Sequence, residues 1–137
     1  VYYVSLGSFD THVRQQPQQE RLFKEMNESV KAFTDDLKKQ GRFHDLLLFT
    51  FSEFGRRVNQ NASGGTDHGT ANNMFLIGGG LKRAGLLNEL PDLTDLNEGD
   101  LKHNIDFQRV YATVLRNWLG VDDAAILRGN YAPLDFV

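Results

Sequence analysis

Residues 45–69 read DLLLFTFSEFGRRVNQNASGGTDHG, and the change of character inside this stretch decides the fold. Asp45–Phe51 is too short and too continuously apolar for an amphipathic helix, so it reads as one buried central strand. Ser52–Gly69 is polar instead. It carries Glu53, then Arg56 and Arg57, a glycine-rich turn, and Asp67 beside His68. A second apolar run, Met74–Ile77, reads as a further short strand ended by Gly78, Gly79 and Gly80. In α/β sheets ligands sit in the crevice outside the carboxyl ends of the strands. A polar loop leaving a hydrophobic strand at that end is a natural place for a site.

Upstream, Val1–Leu6 (VYYVSL) is rich in β-branched and aromatic residues and stops at Gly7, which predicts a strand. The turn after it presents Asp10 and His12. Leu22, Met26, Val30, Phe33 and Leu37 then recur at spacings of four, four, three and four, which places one stripe on a helix over about 18–40. Pro17 suits its first turn and Gly41 its stop. Strand, helix, strand is a βαβ unit with a right-handed crossover, and hence a mostly parallel sheet. A sequence that opens directly in a β run is expected to be cut from a longer protein lacking its N-terminal half.

Downstream, Gly78–Gly80 lacks the Lys and Ser/Thr of a P-loop and the spacing of a dinucleotide fingerprint. It reads as a turn where backbones approach closely. Leu86–Asp100 reads as a loop punctuated by Pro91 and Gly99. Asp106 suits the N-cap of a helix over 107–119 whose apolar face holds Val110, Tyr111, Val114 and Trp118. At 137 residues the chain has single-domain size. Its net charge of −3 argues against a nucleic-acid or anionic-membrane partner. No run approaches the roughly 18 apolar residues of a membrane span. The absence of cysteine excludes disulfides, thiolate metal sites and a cysteine nucleophile.

Asp10 with His12, Glu53, and Asp67 with His68 thus form three acidic or histidine groups at the ends of three successive strands. Oxygen and nitrogen donors together suit Zn²⁺, Mn²⁺ or a similar divalent ion. A guanidinium of Arg56 or Arg57 aimed into the same crevice would bind phosphate or sulfate bidentately. An outward orientation into water is the alternative. His44 reads as a surface or capping residue; His103 could supply another nitrogen to the metal, and its place just before a helix cap favours a structural role.

FDTHVRQ, FTFSEFGRRVNQNASGGTDHG, GGGLKRAG and DFQRVYATVLRNWLG together resemble the C-terminal half of the domain-of-unknown-function-1501 proteins. These are related to the alkaline phosphatase and sulfatase superfamily. The resemblance implies residues 1–137 as one part of a doubly wound α/β/α sandwich around a divalent metal centre (Zn, Mn or Ca/Mg). It implies hydrolysis of phosphate or sulfate esters, of small molecules or glycans. Asp10, His12, Glu53, Asp67 and His68 would surround the metal, with Arg56 on the anionic substrate. By residue identity, Asp67-His68 is the ligand pair of a second metal. By topology, Glu53-Phe54 takes that place and His68 completes the first. The nucleophile and a further acidic ligand would come from the N-terminal half, the chain's implied partner, and an exported location is implied as well. A non-catalytic carbohydrate- or surface-binding relative is the alternative, favoured by Phe54 where a ligand is expected.

Overall fold

A computed structural model describes residues 1–137. Helix α1 spans Gln15–Lys39. It stops where Gly41 takes a φ of 68°, a conformation that costs glycine little. Lys38 and Lys39 in its last turn complement the helix dipole. Leu22 is buried on its inner face, and Met26, Val30 and Leu37 are half-buried there. Phe33 is exposed, because the stripe continues from position 30 to Thr34, which is buried and donates its hydroxyl to the Lys31 carbonyl.

The strands are short and pair differently from expectation. Val1–Leu6 forms no regular element, and its residues are exposed. Strand propensity is expressed only against a neighbouring ladder, and none runs beside it. Of the run 45–51, Asp45 ends a 3₁₀ turn, Phe43–Asp45, and only Leu48–Phe49 forms a strand, β1. β1 pairs antiparallel with β4, Leu76–Ile77, in the register Leu48 opposite Ile77 and Phe49 opposite Leu76. The polar stretch read as a loop is a hairpin, β2 (Gly55–Gln60) against β3 (Thr66–Gly69). A small third pair joins β5 (Leu96–Asn97) to β6 (Asp100–Leu101). Its two-residue turn, Glu98-Gly99, has positive φ at both positions, as a tight hairpin requires. Every pairing is antiparallel, so the expected parallel βαβ unit does not close within these strands.

Helix α2, Phe107–Thr113, is capped by Asp106, whose carboxylate accepts from the Gln108 amide at 2.8 Å. It continues into a widened π turn over Val114–Trp118. Helix α3, Asp123–Leu127, is capped by Asp122. The core lies here. Val110, Val114 and Phe136 are buried, with Leu47, Phe49, Met74 and Leu76 packed around them. The chain end is fastened by the Thr113 hydroxyl, which accepts from the Leu134 amide at 2.7 Å. Gly78–Gly80 does bring backbones together: the Gly79 amide donates to the Phe43 carbonyl at 3.0 Å, and Gly80 lies under the Trp118 ring. No helix is long and apolar enough to cross a membrane.

The accessible surface is 9931 Å². A compact monomer of this mass would expose about 7,200 Å². Much apolar surface is therefore left open, including Tyr2, Val4, Phe51 and Phe75.

Two consequences can be measured. Phe136→Ala should cost about 3–5 kcal/mol in urea unfolding, the usual loss for a buried ring. Phe107→Ala, at a ring 56% exposed, should cost far less. Equal losses would overturn the placement of the core. Arg116 grips Asp123 through two bonds of 2.8 Å, and this holds the buried carboxyl below its ordinary 3.8. A lowered folded value makes the pair's stabilisation complete at neutral pH and lost as pH falls below 3.8. Asp123→Asn should lower the melting temperature at pH 7 and flatten its decline in acid.

Candidate metal centre

The hairpin β2–β3 is organised by its turn, NASGG at residues 61–65. The Asn61 carboxamide oxygen accepts from the amides of Ser63 at 2.9 Å and Gly65 at 3.0 Å. Gly64 has a φ of 72°, a conformation that costs glycine less than other residues. At Gly65 a Cβ would overlap the carbonyl of His12. The hairpin turn thus makes a bed for the chain segment before α1. Backbone bonds from Arg14 to Ser63 and from Gln15 to Gly64, both 3.0 Å, hold that segment down. Asn61 adds a bond to the His12 carbonyl at 3.1 Å.

This docking brings Asp10, His12 and His68 together. The Asp10 Oδ1 lies 2.9 Å from His12 Nε2 and 2.7 Å from His68 Nε2, and the two Nε2 atoms are 3.2 Å apart. These separations are close to the roughly 3.3 Å between donors arranged tetrahedrally at 2.0–2.1 Å from one ion. The Asp10 Oδ1 can accept from both Nε2–H groups, and the same three atoms could instead hold one divalent cation. The donor set, two nitrogens and one oxygen, matches Zn²⁺ or Mn²⁺ better than Ca²⁺ or Mg²⁺, which favour oxygen alone. All three side chains remain open to solvent. Hydrogen bonding from His68, then from His12, holds the Asp10 carboxyl below its usual range.

The other expected site residues fall around this cluster. Asp67 does not join it. Adjacent side chains on a strand diverge, so while His68 turns to Asp10, Asp67 stands 3.6 Å from the opposite nitrogen of His12, Nδ1. Glu53 is exposed and outside the cluster. Phe54 stacks flat on the His68 ring, with centroids 3.8 Å apart and planes 9° from parallel. Arg56 spends both terminal nitrogens on protein acceptors, the Thr66 carbonyl and the Phe9 carbonyl, each at 2.6 Å. Arg57 faces Asp100 at 3.2 Å. Sequence reading missed Asn61. Its signal was an asparagine opening a Ser-Gly-Gly turn.

A model of the family described as protein of unknown function (DUF1501) matches residues 1–130. No curated protein and no solved structure matches the chain.

Zinc titrated calorimetrically into the protein should find one site that His68→Ala or His12→Ala removes. Asp67→Asn should weaken it about tenfold, the usual effect of disturbing a ligand's outer partner. Glu53→Gln should leave it unchanged. Equal losses in the Asp67 and Glu53 variants would reject the arrangement.

Proposed function

The chain belongs to the DUF1501 family, and we propose that it supplies the metal-holding part of a hydrolase of phosphate or sulfate esters, of the alkaline phosphatase and sulfatase type. The observation that carries this reading is the convergence of the Asp10, His12 and His68 donors, all within 4.8 Å of one another. Three protein donors leave a coordination position free for substrate or water, which is the pattern of catalytic rather than structural zinc. The bound divalent ion would stabilise charge on the ester oxygen and lower the pKa of the attacking group. Asp10, His12 and His68 hold it. Asp67, beside Nδ1, orients the His12 ring, and Phe54 fixes the plane of the His68 ring.

In this reading the nucleophile and the rest of a doubly wound α/β/α sandwich come from an N-terminal half of the same protein. The large open apolar surface supports such a partner, and an exported location goes with the family type. A cleft of about 610 Å³ shares Arg56, Gly65 and Thr66 with the supports of the cluster. Gln15, Gln16, Gln19 and Gln60 line it. Carboxamides offer donors and acceptors without charge, which suits the neutral part of a glycan ester.

A second reading, a non-catalytic carbohydrate- or surface-binding relative, is favoured by Phe54, which in the alignment by topology falls where a second metal's ligand is expected. The full-length protein loaded with zinc or manganese should turn over an aryl phosphate or aryl sulfate, and His12→Ala should abolish that turnover. Metal and glycan binding without turnover would favour the second reading.

A further inference from the structure

We infer that Arg56 is a positioning residue of the three-ligand cluster, a bridge that sets how far the Asp10–His12 segment stands from His68. The inference rests on the metal-centre reading above. His12 and His68 lie 56 residues apart in the chain, and Asp10 and His12 belong to no helix or strand. No ladder therefore fixes their distance from β3. Arg56 does so directly. One terminal nitrogen donates to the carbonyl of Thr66, two residues before His68, and the other to the carbonyl of Phe9, the residue before Asp10. The second nitrogen also reaches the Thr11 hydroxyl, between the two ligands, at 3.3 Å, and Thr11 is buried.

The strand register supports the same role. Arg56 pairs directly with His68 across the hairpin, so both side chains leave the same face of it. Its guanidinium carbon lies 5.1 Å over the ring of Phe54, the ring on which His68 stacks. Arg56 thus touches a support of every ligand. A planar guanidinium holds its acceptors at fixed spacing, which the single nitrogen of lysine cannot reproduce. Functional groups must be held to about 0.5 Å to work, and an irregular segment needs such a brace.

Cobalt(II) titrated into wild type, Arg56→Lys and Arg57→Lys tests this, read by visible absorption and by amide exchange over residues 11–15. In Arg56→Lys, cobalt affinity should fall tenfold or more, the absorption band should shift, and the Arg14 and Gln15 amides should exchange faster. Arg57→Lys, which changes the side chain that faces Asp100, should match wild type. Thr11→Val removes the hydroxyl that Arg56 and Gln19 both reach and that donates to the Phe9 carbonyl, while it keeps the Arg56 bonds to the Phe9 and Thr66 carbonyls; it should give a smaller loss, which keeps the test valid if Arg56→Lys fails to fold. Wild-type cobalt affinity and spectrum in Arg56→Lys would overturn the inference. If they came with weakened binding of inorganic phosphate, the guanidinium would belong to the substrate. If wild type bound no cobalt while Arg56→Lys still hastened exchange, the metal-centre reading would fall and the bridge would stand.

Discussion

The carbonyl of His12 rests on Gly65, at a spot where any side-chain carbon would collide with it. That contact lets the irregular segment before α1 lie flat on the hairpin turn. Asn61 and the backbone bonds of Arg14 and Gln15 then hold it there. Together with the Arg56 bonds to the Phe9 and Thr66 carbonyls, it ties the segment of His12 to the hairpin of His68. The site is therefore made by a turn and a carbonyl rather than by the ends of a sheet.

The side chains of the cluster were legible in the sequence, and its frame was not. Asp10, His12 and His68 announce themselves as donors in polar stretches beside apolar runs. The hairpin that carries His68 did not, because Arg56–Gln60 is polar on both faces and shows no alternation. Strand direction is likewise invisible in an apolar run. Leu48–Phe49 and Leu76–Ile77 could have paired either way, and they run antiparallel. Val1–Leu6 has the composition of a strand without a neighbour to express it. Asp67 shows the limit of residue identity. The strand's alternation, once known, turns it away from the Asp10 carboxylate that His68 faces and toward the far side of His12. Helices fared better, since α1 and α2 begin and end near their periodic residues, Asp106 and the stopping glycines. In α1 only the stripe's drift from Phe33 to Thr34 escaped a reading by spacing.

The molecule divides its labour unevenly. Burial is concentrated around α2 and the chain end, where Val110, Val114 and Phe136 pack and Arg116 grips Asp123. The hairpin and the segment on it have almost no hydrocarbon core. Thr11 and Gly65 are its buried residues, together with Gly55 at its root. Polar bonds hold this half together, and such regions open locally at lower free energy than a packed core. Asp10, His12 and His68 stand on this softer half, with Arg56, Asn61 and Phe54 in contact with them or their backbone neighbours.

The pair β1–β4 is only two strands wide and two residues long, and no further strand pairs with either. Strands this short are one way in which a sheet edge is blunted, since they set few backbone groups in a row, even with the rings of Phe51 and Phe75 exposed beside them. A rim of two residues is therefore a poor template for edge-to-edge association of copies of the chain.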